Sequence, residues 1–200
     1  MIHRGDAIMI RTVCALAAAS LSLAAPAMAQ TAPAGGGLLD KAVNQPGTSW
    51  TFYGDRYKAK ATKAAGIPGE EAVHVTIAAK AANPWDIGAT SASVKPVQAN
   101  DTMLLAVYLR APDTGEGQTI DLPIGIGEAA APYGVVAQDV AKVGPGWKLY
   151  YASGRAGKAY APGAIRATVH LAGAKQVVEL GPVFLLDMGA NQDPAKLPHN

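Results

Sequence analysis

The side chains that most often perform catalysis form no recognisable motif in this sequence. There is no G-x-S-x-G segment to present a serine nucleophile, and the four histidines lack the H-E-x-x-H spacing of a zinc hydrolase. Residues 125–130, GIGEAA, match the G-x-G-x-x-A pattern of a dinucleotide-binding turn, which must be followed by a helix. Because Pro132 and Gly134 come next and disfavour a helix, we predict a loop between strands there.

Paired carboxylates, which glycoside hydrolysis needs about 5 to 10 Å apart, are not indicated either. Glu70, Glu71 and Glu116 lie in glycine-containing segments that read as turns, where acidic side chains are usually solvated. Glu128 and Glu179 are isolated in the sequence. We therefore predict that the chain is not an enzyme. A small hydrolase with an unfamiliar site would require two of these acids to meet in a cleft.

Aromatic side chains could do a different chemistry, the stacking of a ring on the apolar face of a sugar. Aromatic residues make up only 6% of the chain, yet Trp50, Trp85 and Trp147 all lie at predicted strand boundaries. Trp85 is close to Asn83 and Asp86, so a stacking surface and hydrogen-bonding groups occur together. The pattern favours the core for Trp50 and Trp147 and leaves core and ligand face open for Trp85.

The apolar residues that must position these groups recur with a period of two, as in strands with one buried face. Such alternation occurs in residues 73–77, 103–109, 120–126 and 165–171, and further strands are predicted at 86–94, 133–140, 147–153, 176–180 and 183–188. Pro and Gly residues separate these segments. The pattern predicts an all-β fold, an antiparallel two-sheet β-sandwich, with brief helical character only at 38–43.

The same alternation predicts which polar side chains face outward. If the apolar set in 103–109 faces the core, Tyr108 and Arg110 face away from it. Arg166 and His170 face away from the core by the same argument. A lone His170 is more typical of a hydrogen-bonded surface histidine than of a metal ligand.

The N-terminal residues 1–29 have the features of a secretory signal peptide. A segment with two arginines precedes the apolar run 13–25 and an A-M-A exit sequence, and Met9 is an alternative start to Met1. The run is shorter than the roughly 20 residues that span a bilayer. Cys14, the only cysteine, lies inside it, so the mature chain would have no disulfide.

The rest of the chain divides into a flexible linker at 30–44, one β-sandwich domain at 45–189 and a C-terminal tail at 190–200. A net charge of +2 argues against a nucleic-acid partner. We expect an exported protein, periplasmic or extracellular, monomeric, and without a membrane span in its mature chain.

Four segments carry a family resemblance by their order and spacing: 83–86 (NPWD), 103–111 (MLLAVYLRA), 147–151 (WKLYY) and 170–189, which ends in VFLLDMG. Together they resemble the cellulase-C and xylanase type of carbohydrate-binding module, a CBM4/9-like, galactose-binding-like jelly roll. The resemblance implies a two-sheet jelly roll with a shallow groove on one concave sheet, closed by a hairpin.

Many such modules hold a structural calcium with an acidic pair in the closing strand. Here the comparable stretch, 179–183, reads ELGPV and departs from that pattern, so no cofactor is predicted.

The leading hypothesis is a non-catalytic module that binds a polysaccharide or oligosaccharide by aromatic stacking and hydrogen bonds. Its predicted ligand-binding residues are Trp85, Asp86, Tyr108, Arg110, Tyr150 and His170. The alternative is a structural or protein-interaction β-sandwich domain of the periplasm or cell surface without sugar affinity.

Overall fold

The computed structural model describes residues 37–200; the predicted signal peptide and Cys14 lie outside the described residues. No helix in the described part is long and apolar enough to cross a membrane. Ten strands form the fold: β1 Thr51–Tyr53, β2 Tyr57–Lys63, β3 Glu71–Ile77, β4 Gly88–Ala92, β5 Thr102–Arg110, β6 Ile120–Glu128, β7 Val135–Val143, β8 Lys148–Arg155, β9 Ile165–His170 and β10 Gln176–Asp187.

The strands make two five-stranded sheets. Sheet 1 has the order β1-β4-β9-β6-β7, and sheet 2 has the order β2-β3-β10-β5-β8. Every strand pair is antiparallel. The predicted antiparallel two-sheet β-sandwich is confirmed.

The core lies between the inner faces of the two sheets. In β5, Met103, Leu105, Val107 and Leu109 are all 0% exposed, while the alternate side chains point outward. Ile165, Ala167 and Val169 of β9 are equally buried, so the predicted outward direction of Arg166 and His170 is confirmed. Each fully buried aliphatic side chain contributes about 1.5–3 kcal/mol to folding.

The closing segment differs from the prediction. Residues 176–180 and 183–188 were expected to be two strands of a hairpin, but they form the single strand β10, with a bulge between Leu180 and Val183. The bulge adds one residue to β10 without reversing the chain direction. β10 pairs with β3 through residues 176–180, and most of its pairs with β5 follow the bulge, at residues 183–187.

Two strands were not predicted. β1 is only three residues long, and β2, YKAKATK, lacks buried apolar residues because it is the exposed edge of sheet 2. Lysines on an edge strand oppose pairing with another chain.

The end of the segment predicted as a flexible linker belongs to the fold. Asn44 is 2% exposed and joins the two sheets. Its side-chain amide donates to Ser91 Oγ of sheet 1 at 2.9 Å, and its carbonyl oxygen accepts from the Leu185 amide of sheet 2 at 2.8 Å. Ala42 and Val43 are also buried, so residues 42–44, the end of the predicted linker or N-terminal segment, pack as part of the fold.

The C-terminal tail is fastened along β8, the edge of sheet 2. The Asn200 side chain accepts a hydrogen bond from the Tyr151 amide at 2.9 Å and donates one to the Tyr151 carbonyl at 3.0 Å. The Arg155 guanidinium donates to the carbonyls of Ala190 and Gln192, each at 3.0 Å. The tail therefore covers part of sheet 2.

Candidate functional site

The outer face of sheet 2 is closed at one end by the two termini. Ala42, Leu104 and Leu186 are each less than 5% exposed and form a small outer cluster. The partly buried side chains packed on this cluster come from both sheet 2 and the tail: Phe184, Tyr151, Met188 and Leu197. At this end the outer face of sheet 2 is therefore covered by the segment around Ala42 and by the C-terminal tail.

The other end of the same face is occupied by a charged cluster. Glu179 is 6% exposed; Arg110 Nε donates to its Oε2 at 2.6 Å, and His74 Nδ1 lies 3.0 Å from its Oε1. Burial alone would raise the pKa of Glu179, but the hydrogen bonds from His74 and Arg110 outweigh burial and hold the pKa below its ordinary value.

Aromatic packing completes this cluster. The Arg110 guanidinium lies 4.9 Å from the centre of the Trp147 ring, a cation–π contact. Tyr108 and Trp147 pack against a group of buried residues that includes Ile67. Arg110 and Tyr108 face outward as predicted, but their side chains are engaged by neighbours on sheet 2.

Tyr150 requires a correction. It is 2% exposed and belongs to the central core, with its hydroxyl donating to the Lys142 carbonyl at 2.7 Å. It pairs with the inward-facing Val107, so its side chain points between the sheets. The prediction that Tyr150 contacts a ligand is wrong for this fold.

The outer face of sheet 1 is different, because small and polar side chains run across its middle. One row crosses all five strands through cross-strand partners: Thr51, Thr90, Thr168, Gly125 and Gln138. Hydroxyl and amide groups in such a row can donate and accept hydrogen bonds.

A second row places an aromatic ring beside a histidine. Tyr53, Gly88 and His170 are partners across β1, β4 and β9. A Cβ at Gly88 would collide with the Tyr53 ring, so the ring lies across this position. The Tyr53 hydroxyl is 3.4 Å from His170 Nδ1.

Arg166 reaches toward these two side chains. Its guanidinium lies 5.7 Å from the centre of the Tyr53 ring. Burial first, and the charge of Arg166 second, lower the pKa of His170 below its ordinary value. At neutral pH His170 is therefore uncharged, with one ring nitrogen that donates and one that accepts.

Trp85 stands at the same end of sheet 1. It is 59% exposed, in the 3-10 turn Pro84–Asp86 that precedes β4. Asp86 fixes this turn by accepting from the Asn83 amide at 2.9 Å and from Asn83 Nδ2 at 3.3 Å. Gly54, with φ of +92°, allows the end of β1 to approach the backbone of Asp86.

The β7 side of the face carries the other exposed apolar groups. Tyr133, Val135 and Val140 are 60%, 65% and 44% exposed. Nearby, a depression of about 310 Å³ is lined mainly by alanines and by Glu128 and Lys158, which form an ion pair at 2.8 Å.

The six predicted ligand-binding residues are therefore divided. Trp85, Asp86 and His170 share one end of sheet 1, with Asp86 supporting the turn that presents Trp85. Tyr108 and Arg110 lie on the other sheet, and Tyr150 lies between the sheets.

Sequence reasoning did not select Tyr53 or Arg166 as site residues. The alternation in β9 already placed Arg166 outward, so the signal was present for that residue. Tyr53 lies in a three-residue strand too short to show a period.

The residues at 179–183 do not fit a calcium ion. Glu179 already receives hydrogen bonds from Arg110 and His74, whereas calcium needs six to eight oxygen ligands. Within residues 37–200 no group of three or more His, Cys, Asp or Glu side chains is placed to hold a metal.

One pair of carboxylates does meet in the described chain. Burial first, and then the neighbouring Asp101, raise the pKa of Asp187. Each acid also accepts a backbone amide, from Gln98 at 2.9 Å for Asp101 and from Gly189 at 2.8 Å for Asp187.

Comparison with solved structures identifies the architecture. A CBM4 carbohydrate-binding module is 16% identical, has a TM-score of 0.52, and covers 69% of this chain and 94% of its own. The chain has the jelly-roll fold of carbohydrate-binding modules. This confirms the fold that the sequence resemblance implied.

Two further structures share the jelly roll. One comprises the CBM22-1 and GH10 modules of a Clostridium thermocellum xylanase complexed with xylohexaose, at 15% identity and a TM-score of 0.55, covering 77% of this chain and 30% of that one. The other is a putative sugar-binding protein from Bacteroides thetaiotaomicron, at 8% identity and a TM-score of 0.53, covering 69% and 87%. No protein-family model and no curated protein matches the chain. At these identities the likeness establishes the fold alone.

Proposed function

We propose that this jelly roll is an exported, non-catalytic carbohydrate-binding module whose ligand lies on the outer face of sheet 1. The observation that carries the proposal is the contrast between the two outer faces. The face of sheet 2 is filled by the segment around Ala42, by the C-terminal tail and by the Glu179 cluster, whereas among residues 37–200 no such cluster fills the face of sheet 1.

The chemistry of the sheet 1 face suits a sugar. Trp85 exposes a large aromatic surface at one end, which can stack on the apolar face of a pyranose ring. Thr51 and Gln138, the exposed members of the polar row, offer a hydroxyl and an amide group to sugar hydroxyls. The uncharged His170 adds a donor and an acceptor beside Tyr53.

The structural or protein-interaction alternative draws on a different part of the face. Tyr133, Val135 and Val140 expose apolar surface near β7, and exposed aromatic and aliphatic groups are also used in protein contacts. If this alternative holds, substitution of Trp85 would leave the affinity for every glycan unchanged.

The experiment is a pull-down on insoluble polysaccharides, followed by titration calorimetry on those retained. It uses the mature protein, Trp85→Ala and the control Lys60→Ala, which changes an exposed side chain on the opposite sheet. We expect one glycan class to be retained by the mature protein and by Lys60→Ala. Trp85→Ala should still fold but should bind at least about tenfold more weakly. Stacking on an aromatic side chain contributes roughly 1–3 kcal/mol to binding in the case of nucleic-acid bases, and we expect a similar contribution for a sugar ring.

Absence of binding to plant, bacterial and algal glycans would contradict the proposal and favour the protein-interaction alternative. Equal loss of binding in Lys60→Ala and Trp85→Ala would contradict the assignment to sheet 1.

A further inference from the structure

Arg166 is a cation on the outer face of sheet 1 that has no ion-pair partner among residues 37–200. It lies on β9, the middle strand, and its cross-strand partners are Ala92 and Gly127, which have no polar side chains. Among residues 37–200, no carboxylate forms an ion pair with it.

The acidic side chains on the neighbouring strands of sheet 1 are committed elsewhere. Asp121 pairs with Lys142 at 3.2 Å, and Glu128 pairs with Lys158 at 2.8 Å. Asp139 accepts from the Val140 amide at 2.7 Å. The positive charge of Arg166 is therefore not balanced by its own sheet.

The surroundings of Arg166 hold the guanidinium over the face. Tyr53 contributes a ring 5.7 Å from it. Thr90 and Thr168 lie on the outward side of the same strands but are only 5% and 9% exposed. A guanidinium keeps its charge at all ordinary pH values and presents paired N–H groups that match a carboxylate.

We propose that the open face recognises an acidic glycan, with the carboxylate of a uronic acid residue bound by Arg166. This inference rests on the proposed function and specifies its substrate class. Trp85 would stack on a neighbouring residue of the glycan. A neutral glycan could stack on Trp85 but would leave the cation without a counter-charge.

The test uses matched ligands that differ only in charge. Oligogalacturonate, alginate oligosaccharides and glucurono-xylo-oligosaccharides are each compared with their carboxyl-reduced forms, in which every carboxylate becomes a primary alcohol. Xylohexaose serves as a neutral probe. Affinities are measured by calorimetry at low and at physiological salt for the mature protein, Arg166→Gln, Arg166→Lys and the control Lys60→Gln, which removes one positive charge from the opposite sheet.

We expect at least one acidic glycan to bind about tenfold or more tightly than its reduced form, because charge-assisted hydrogen bonds are roughly twice as strong as neutral ones. Arg166→Gln should abolish this preference, Arg166→Lys should retain part of it, and Lys60→Gln should leave it unchanged. Added salt should weaken the preference.

Two results would overturn the inference in distinguishable ways. Tight binding of xylohexaose or of reduced glycans, with no preference for a carboxylate, would refute the acidic ligand and leave the sugar-binding function standing. Failure of every glycan to bind would refute both.

Discussion

The two sheets are each built from five antiparallel strands, but their outer faces differ in whether other parts of the chain cover them. On sheet 2, the outward side chains of β5 and β10 include Leu104, Phe184 and Leu186, which are apolar and need a cover. The N-terminal segment and the tail supply that cover. On sheet 1, the outward row that includes Thr51 and Gln138 is polar, and no apolar cluster of the described residues lies on it. The difference shows that outward direction alone does not make a residue available to a ligand.

The charged groups follow the same division. On sheet 2, Arg110 is satisfied by Glu179 and by the Trp147 ring. On sheet 1, Arg166 has a tyrosine ring beside it and no carboxylate among the described residues. Arg110 is thus satisfied within the fold, whereas Arg166 is the arginine that we propose for recognition.

The largest effect on stability is expected for Arg110→Ala. Removing Arg110 leaves the buried carboxylate of Glu179 with only His74 as a partner. Breaking a buried ion pair costs roughly 3–5 kcal/mol, and because Arg110 is 31% exposed we expect about 3 kcal/mol of lost unfolding free energy by urea denaturation. Glycan affinity should not change. A loss below about 1 kcal/mol, or a loss of glycan binding in the folded variant, would break the comparison.

A matched pair of glycine substitutions tests packing on the two faces. A Cβ at Gly181 on sheet 2 would lie 2.8 Å from Tyr108 Cβ and 2.9 Å from Ile67 Cδ1, both held in the packed cluster. At Gly88 on sheet 1, the Cβ would meet the Tyr53 ring, which can swing toward solvent. We expect Gly181→Ala to cost about 1–3 kcal/mol, and Gly88→Ala less than about 1 kcal/mol.

Gly88→Ala should nevertheless weaken glycan binding, because it displaces Tyr53. Equal destabilisation by the two substitutions would show that sheet 1 is packed as firmly as sheet 2.

Trp85→Ala should have little effect on folding. Since the side chain is 59% exposed, we expect the unfolding free energy to change by less than about 0.5 kcal/mol, as for other surface substitutions. Thermal unfolding followed by circular dichroism measures this directly. Loss of a cooperative transition would instead make Trp85 a core residue and remove it from the open face.

The smallest expected effect is a difference in pH dependence between the faces. The pKa of His170 is lowered by folding, so the unfolded chain binds more protons and stability falls as the pH drops through the ordinary histidine range. The pKa of Glu179 is lowered too, so its stabilisation is present above the ordinary glutamate pKa and is lost only as the pH falls through the lower folded value.

Urea denaturation across pH separates these two contributions. His170→Gln should flatten the upper part of the profile, and Glu179→Gln should flatten the acidic part while lowering stability at neutral pH. If His170→Gln flattened the acidic part of the profile and Glu179→Gln the upper part, the environments described for these side chains would be contradicted.

Much of the fold could be predicted because the central strands carry a strict alternation. In β5 and β9, each residue's parity in the sequence matches its face in the structure, from Met103 to Arg110 and from Ile165 to His170. β1 and β2 could not be predicted, because a three-residue strand shows no period and an exposed edge strand has no buried face.

The candidate site was only partly predictable. Alternation cannot say which of two outer faces is covered, since the cover on sheet 2 comes from residues distant in sequence, such as Asn200 bound to the backbone of Tyr151. The predicted ligand-binding residues therefore came from both sheets, with Tyr108 and Arg110 on one and His170 on the other, and the sequence did not say which subset faces a ligand. Tyr150 was selected as an aromatic ligand-binding residue but lies in the core, where its hydroxyl donates a hydrogen bond to a backbone carbonyl inside the sandwich.

The most direct test of the account is an NMR titration of the ¹⁵N-labelled mature protein with each glycan that the pull-down retains. We expect changes in amide chemical shift on β1, β4, β9 and β6, centred on Thr90, Thr168 and Arg166 and extending to Trp85. The amides of β3, β5 and β10 should be unaffected. Shift changes centred on Arg110 and Tyr108 would place the ligand on sheet 2 and contradict the central claim.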